Sequence, residues 1–497
     1  MVIGIDLGTT YSVAAYMNDK GEPEVIANSE GDYLTPSVVF FENNGKNAIV
    51  GEVAKDNSIL KPDDTIATVK NFMGRKTSFQ TGEGLDYSPE MVSSLIIKKL
   101  CQDASKSLNQ EIKDVVITIP AYFNDAQRQS TIDAAKGAGV NLIKMINEPT
   151  AAACYFAYKT KLQKANILVY DLGGGTFDTS VVTIDGKNIN VVRTEGIHEL
   201  GGVFFDESIV ELICKYMLQE KNIDLRATEY KQDLQQLYLM VEKYKIQLSS
   251  RQEVRIPVTA GAVRESFKLT RTEFDKIVEK YYKKTERKIK MVLSKAHMTI
   301  NDIDKILMVG GSSRIPFIKK SLTEYFGKEP STEVHADESV ALGAAIYASM
   351  QEDDENLKIQ DVCSHAFGIA TYSEKKKEKI NTIVIEKCSA IPVSRVRQFK
   401  LAVDNQKSLQ ITLTEGESEE LKYVNIIDDF QLDLPPGTRK NMPVEVIYTL
   451  DGNQIIHISI NIPELKFRHE YKINRSSNLN EDQLEMMTSL ISSTDVE

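Results

Sequence analysis

The fold class this sequence predicts is α/β, two related lobes around a shared cleft, followed by an antiparallel β-sandwich. Three observations predict it. A short apolar run, an acid, a tight turn and a second strand occur twice, as Ile3-Gly-Ile5 into Asp6-Leu-Gly-Thr-Thr10 and as Ile167-Leu-Val-Tyr170 into Asp171-Leu-Gly-Gly-Gly-Thr176. A third glycine turn, Gly310-Gly-Ser-Ser-Arg-Ile-Pro316, follows the apolar run Ile306-Leu-Met-Val309. Past Met350 helix signals nearly vanish and alternating segments recur.

Each repeat offers one carboxylate and one hairpin to the cleft. Gly173, Gly174 and Gly175 carry no side chain, so their N–H groups can approach a polyphosphate closely, and Thr176 adds a hydroxyl. Ser12-Val-Ala-Ala and Val181-Val182 resume the strands. Asp6 and Asp171 supply opposed oxygen ligands of the kind that suits Mg²⁺ bridging phosphates, and the hairpins read as holders of the phosphates of ATP.

In chain order, Val38-Val-Phe-Phe41 and Ala48-Ile-Val50 extend the first lobe as strands. Lys70 falls where a helix would project it toward the cleft, although a lone lysine is ordinarily solvated. Pro89 to Leu108 has helical periodicity, Val115 to Ile119 is a strand stopped by Pro120, and Asn124 caps an alanine-rich helix reaching Gly137. A strand from Leu142 to Ile146 leads into Asn147-Glu-Pro-Thr-Ala-Ala-Ala153, with Pro149 in a first helical turn. Glu148 there either partners the helix N-terminus or positions water near a γ-phosphate. The second lobe starts near Ile167, passes Gly201-Gly202, and enters a long helical region from Phe205 through Leu248. Glu242 and Lys245 share a face of it, as a solvated ion pair would. Gly310-Gly311 lets a planar ring lie on backbone with Arg314 over it, and Asp337 opens a small-residue helix ending near Met350.

These signals divide the chain into a nucleotide-binding unit (1–350), a linker (351–362) begun by Gln351-Glu-Asp-Asp-Glu355, a sandwich (363–475), and a short helix or tail (476–497) opened by the capping box Asn480-Glu-Asp-Gln483. Sandwich strands are expected over Thr382–Ile385, Gln398–Val403, Leu409–Leu413, Val444–Leu450 and Ile455–Ile462. The chain has 497 residues, 42% of them hydrophobic, ordinary for a globular protein. Its net charge of −11 argues against general nucleic-acid binding, and no apolar segment is long enough to predict a membrane span. MVIGIDLGTT enters a strand at once, with no signal- or transit-peptide pattern. Five scattered cysteines (Cys101, Cys154, Cys214, Cys363, Cys388), without a CxxC, fit a reducing, cytoplasmic setting.

From IGIDLGTTYS through VITIPAYFNDAQRQST, INEPTAAA, YDLGGGTFD, EKYKIQLSS and MVGGSSRIP to the sandwich, the chain resembles the seventy-kilodalton heat-shock chaperone family of bacterial DnaK type. The resemblance implies an actin-like, two-lobed ATPase domain of duplicated ribonuclease H-like fold, coupled to a sandwich that grips extended apolar peptide. In it Asp6 and Asp171 would hold the Mg²⁺ shell, and Thr9, Thr10, Tyr11 and Gly173 to Gly175 the phosphates. Thr176 and Asp178 would lie beside them, near K⁺. Lys70 would place the γ-phosphate and attacking water, with Glu148 in support. Gly201, Gly202, Glu242, Lys245, Ser249, Gly311, Ser312, Arg314 and Asp337 would surround the nucleotide, ATP or ADP. Pro120, Arg128, Leu357, Ile359 and Asp361 would couple the domains. Ile369, Phe399, Ala402, Leu409 and Ile411 match positions lining the peptide groove, although alternating apolar strand residues are also ordinary core. Implied partners are unfolded clients, a J-domain co-chaperone and a nucleotide-exchange factor.

Four departures stand out. Gly201-Gly202 is followed by Val203-Phe204-Phe205 before Asp206, where the family has an acidic pair. The linker keeps only Leu357 and Ile359 in alternation. Tyr372 to Lys379 reads as a charged insertion beside the groove. The helical lid is reduced to first turns after Asn480, so bound peptide should leave quickly. Two other readings remain at this point. An adaptor or exchange regulator with little turnover is favoured by the altered linker and opposed by the intact acids and lysine. A small-molecule kinase of the actin and sugar-kinase superfamily is opposed by the sandwich.

Overall fold

In the computed structural model, which describes residues 1–43, 45–350, 357–473, 475 and 478–497, the apolar run Val2–Asp6 lies at the centre of the first-lobe sheet. Its order is Asn141–Asn147, Asp114–Ile119, Val2–Asp6, Tyr11–Met17, Pro23–Ile26. The second-lobe sheet runs Lys305–Val309, Lys164–Leu172, Thr176–Asp185, Asn188–His198, Lys358–Gln360. In both, the acid-bearing strand pairs in parallel on one side and antiparallel on the other. Ile3, Ile5, Val115, Ile117, Ile167, Leu168 and Val169 are fully buried, which is why these strands read as continuous apolar runs rather than alternating ones.

Helices Glu148–Thr160 and Ser339–Ser349 pack together between the two sheets. At their crossing a Cβ on Gly343 would stand 1.8 Å from the Ala151 carbonyl oxygen, so the small-residue composition of both helices is a packing requirement. The helical region expected from Phe205 to Leu248 is two helices, Gly202–Lys221 and Lys231–Gln247. Asn222, in the left-handed conformation at φ 56°, ends the first, and its N–H satisfies a last-turn carbonyl. Among the described residues no helix is long and apolar enough to cross a membrane.

The sandwich stacks Glu378–Ile385, Phe367–Ser373, Ser408–Glu415 and Asn425–Asp433 on Val393–Lys400, Pro443–Leu450, Ile456–Ile462 and Phe467–Tyr471. Three of these strands, Phe367–Ser373, Asn425–Asp433 and Phe467–Tyr471, were not expected. The strand expected over Gln398–Val403 starts earlier and stops at Lys400, leaving Ala402 and Val403 in a loop. The charged segment Tyr372 to Lys379 forms a hairpin, with Ser373 opposite Glu378 and Lys377 at positive φ in the turn.

The charged run 351–355 lies outside the described residues. Beyond it Lys358–Gln360 joins the second-lobe sheet in parallel with Asn188–Asn190, while Leu357 and Ile359 pack on the core between the lobes, so the sandwich is docked. Past the sandwich the chain returns to the first lobe. Helix Glu481–Ser493, capped by Asn480 as expected, buries Met487 and Ile491 completely against helices Pro89–Leu108 and Asp125–Gly137. Asp495–Val496 then pairs with Asn47–Val50, adding a strand to a first-lobe sheet.

Candidate functional site

Asp6 and Asp171 stand at the carboxyl ends of interior strands of the two sheets, where loops must leave and a crevice opens. Lys70 reaches the crevice from the short 3₁₀ turn Val69–Phe72, not from a regular helix. It is nearly buried and pairs with Glu148 at 2.5 Å, which lies in the first turn of helix Glu148–Thr160. Thr118 donates to Asp6 at 2.9 Å, and the Tyr122 amide donates to Asp178 at 3.2 Å.

One ammonium thus faces four carboxylates. Burial first, then the Glu148 charge, pushes Asp6 up to about 7, Asp178 up to about 8, and Asp171 well above the carboxylate range. Burial opposes the charge on Lys70, but Glu148 and Asp6 outweigh it and hold its pKa above the ordinary lysine value. Such an excess of buried negative charge fits a divalent cation, which would return both strand-end acids to their anionic form. The oxygen-only donor set suits Mg²⁺.

The two hairpins meet across the crevice. A Cβ on Gly174 would lie 2.1 Å from the Thr10 hydroxyl, so only glycine permits this approach. Thr9 and Asn71 lie similarly close to Gly175, and the Gly173 amide closes its own hairpin onto the Thr176 carbonyl. Further out, Lys245 donates to the Gly202 carbonyl at 3.1 Å and pairs with Asp206 at 2.6 Å. Burial raises Asp206 to about 6 despite that pair. Asp206, in the first turn of the helix after Gly201-Gly202, thus gives Lys245 its acidic partner. Ser312 faces Gly202, and Arg314 pairs with Asp337 at 2.6 Å beside Gly311. Glu242 is not a solvated partner of Lys245. It crosses the cleft to Lys55 at 2.6 Å and accepts from Tyr11 at 3.5 Å. Ser249 follows the same helix, with its amide bonded to the Ile246 carbonyl.

The expected coupling positions gather at the docked sandwich. Asp361 accepts from Asn147 at 2.8 Å and Thr150 at 2.9 Å, and buried Arg128 binds the Ala121 and Phe123 carbonyls, Asn147 and Ser364. Burial lowers Arg128 to about 10. Pro120 ends the adjoining strand and accepts from Phe123. In the sandwich, Ile369 and Ile411 are core, Phe399 and Leu409 lie partly exposed against that core, and Ala402 is exposed.

Sequence reasoning missed Thr118, Lys55, Asn71, Tyr122 and Asp206. Position at a strand end signals Thr118, and Tyr122 stands between Pro120 and the Asn124 cap. Lys55 carries no local signal, because its role exists only once the lobes face each other.

The family described as Hsp70 protein matches residues 2–496. The chain is 39% identical over 465 residues to the chaperone protein DnaK of Thermosipho melanesiensis, covering 92% of this chain and 77% of that one. It is 38% identical over 465 residues to the chaperone protein DnaK of Thermosipho africanus, with the same coverage. The corresponding figures for that of Thermotoga neapolitana are 38% over 466 residues, 92% and 78%. A match across nearly the whole chain, on top of two acid-ended sheets joined to a β-sandwich, makes this chain a member of the Hsp70 family of ATP-dependent chaperones that bind unfolded polypeptides.

Proposed function

We propose that the two lobes, read as a duplicated ribonuclease H-like pair of actin type, bind ATP and hydrolyse it slowly, and that this governs how the sandwich grips extended apolar segments of cytoplasmic clients. The observation that carries the reading is the Lys70–Glu148 pair set between Asp6 and Asp171. Asp6 and Asp171 would hold Mg²⁺, which supplies charge neutralisation on the phosphates when bound. Thr9, Thr10, Tyr11 and Gly173 to Gly175 orient the phosphate chain. Lys70 draws the γ-phosphoryl group and, with Glu148, aligns the attacking water, so that ADP and phosphate form. Thr176 and Asp178 would help hold K⁺. Glu242, Lys245, Ser249, Gly311, Ser312, Arg314 and Asp337 hold the adenosine end, and Gly201 and Gly202 also contact the nucleotide. The work asked of these groups is positioning and charge compensation.

Apolar walls with strand-edge hydrogen bonding suit extended peptides of varied sequence, which assigns Phe399, Ala402 and Leu409 to client contact, with Ile369 and Ile411 beneath. A J-domain protein and a nucleotide-exchange factor are the partners this cycle calls for. One observation favours an adaptor with little turnover as the second reading: the sandwich is held to the lobes at both its ends.

The two readings separate in single-turnover ATP hydrolysis by the full chain, with and without an unfolded apolar peptide. A fragment ending near Met350 would lack Met487 and Ile491 from its core, so the uncoupled comparison is Ile359→Asp in the full chain. Acceleration by peptide in the parent and none in Ile359→Asp supports the chaperone cycle. Equal, peptide-blind rates reject it for the adaptor.

A further inference from the structure

Strand Val393–Lys400 is the edge of its sheet, beside Pro443–Leu450, and its sequence, VSRVRQFK, holds three cations and no acid. Side chains directly opposite on paired strands share a face. Val393, Arg395, Arg397 and Phe399 stand opposite Leu450, Tyr448, Val446 and Val444, all four of them buried in the sandwich core. The two arginines therefore lie on the core face of the sheet, yet both are exposed. An unpaired guanidinium is too costly to bury, so the facing sheet does not close over this edge, and the sandwich stays open beside Phe399.

The other arginines of the C-terminal part, Arg439, Arg468 and Arg475, pair with Glu464, Glu470 and Asp125. Arg395 donates to the Ser394 carbonyl at 3.0 Å, but among the described residues neither Arg395 nor Arg397 pairs with a carboxylate. Glu445, the acid of the neighbouring strand, is opposite Gln398 on the other face. It is occupied there, accepting from Gln398 at 3.1 Å and from Asn461 at 2.7 Å.

Charges on an edge strand also keep it from pairing with another chain. That duty asks only for charge, of either sign, and not for two guanidinium groups in line with an apolar side chain. A guanidinium binds a carboxylate through two parallel N–H groups, so the arrangement selects an anionic partner. Residues on one strand face are two apart, which sets Arg397 about 7 Å and Arg395 about 13 Å along the strand from Phe399. An extended segment laid along the same edge covers those distances in two and four residues.

We propose that Arg395 and Arg397 are specificity-determining residues of the client site, and that the extended segments it takes carry acidic side chains two and four positions from their apolar anchor. This rests on the reading of the sandwich as the part that grips client peptide, with Phe399 at the anchor. Apolar walls alone are indifferent to the charge beside them, and these two cations give the site a sign.

The experiment is fluorescence anisotropy of three labelled peptides on the full chain in the presence of ADP. The peptides share a leucine-rich core and carry aspartate, asparagine or lysine two and four residues to either side of the central leucine. The aspartate peptide should bind about fivefold tighter than the asparagine peptide, as two exposed ion pairs give, and more than about tenfold tighter than the lysine peptide. Raising salt from about 0.05 to 0.5 M should shrink both ratios. The double variant Arg395→Glu with Arg397→Glu keeps charge on the edge, and it should invert the order, binding the lysine peptide tighter than the parent does. A gain of that kind does not come from misfolding. Arg395→Gln with Arg397→Gln should bring the aspartate and lysine peptides within about twofold of each other. Equal affinity for those two peptides in the parent, a preference for lysine, or an order that the glutamate variant keeps overturns the proposal. Loss of all peptide binding in both variants overturns it too, since the arginines would then be parts of the fold rather than selectors. If the parent binds none of the three peptides, the client-site reading itself falls. If it binds all three alike, that reading stands and the arginines only guard the edge.

Discussion

The C-terminal part of the chain is attached to the lobes in two places, and the balance of apolar and polar contact differs between them. Helix Glu481–Ser493 and strand Asp495–Val496 are joined to the first lobe by an apolar contact, with Met487, Ile491 and Val496 in the same core as Val92, Leu95 and Ile96. The backbone ladder continues through Glu497, and the Lys98 ammonium caps the Ile491 and Thr494 carbonyls. The sandwich is attached, beyond the apolar packing of Leu357, Ile359 and Val362, through charges and hydrogen bonds: Asp361 to Asn147 and Thr150, Glu415 to the Asp125 amide, Asn453 to the Met145 amide, and Lys387 to Glu195. Apolar surface has no partner in water, so opening the first contact loses its full burial energy. Polar groups exchange their partners for water, so opening the second loses only about 1 kcal/mol per hydrogen bond. One contact is built to stay and the other to open and close.

The largest expected effect follows from breaking the apolar contact. Met487→Asp buries a carboxylate in the first-lobe core and should lower its stability by more than about 3 kcal/mol, read as a shift in the urea midpoint. A shift under about 0.5 kcal/mol would show that the helix is peripheral and would dissolve the contrast.

A smaller and different effect follows from breaking the polar contact. Asp361→Ala leaves the Asn147 and Thr150 donors unpaired and should weaken docking by about 1–3 kcal/mol. The expected signs are faster proteolysis near Leu357 and an expanded small-angle scattering profile, with the first-lobe urea midpoint unchanged. Loss of that midpoint as well would mean that the two attachments are one cooperative unit.

The comparison is sharpened by pH. Burial, then the neighbouring Asp125 charge, raises Glu415 to about 8, against the pull of the Asp125 amide, Arg128 and Asn425. A carboxyl raised in the docked state favours docking while it is protonated. Its contribution is full below the ordinary carboxylate range and is lost as pH rises toward 8. Docking measured by scattering should therefore weaken from pH 6 to 9, and Glu415→Gln should flatten that slope. The helix attachment, which is apolar, should show no such slope. The smallest effect belongs to the exposed lobe-to-lobe pair Arg75–Glu199, 2.9 Å apart. Arg75→Ala should change stability by less than about 0.5 kcal/mol in the same urea experiment.

How much was legible varies with how local each cause is. Pro89 to Leu108 reads correctly as a helix to the residue, because Ser88, Pro89 and the apolar stripe all act within one segment. The Asn124 and Asn480 capping boxes were equally local. Asn425–Asp433 was not read as a strand because Asp428 and Asp429 interrupt its apolar pattern. Its pairing with Ser408–Glu415 overrides weak propensity. Glu242 looked like the solvated partner of Lys245, three residues away on one helix, whereas the folded protein gives each a different acid–base partner from another segment.

The sequence by itself determined the two acid-ended strands, the glycine turns that let the hairpins meet, the capped helices and the sandwich, since each is written in neighbouring residues and their backbone preferences. Only the tertiary structure decided that one lysine would face four carboxylates and that the last helix would complete the first lobe. Those outcomes depend on distances between segments hundreds of residues apart, where burial changes the energy of a charge or an apolar side chain in ways no local pattern records.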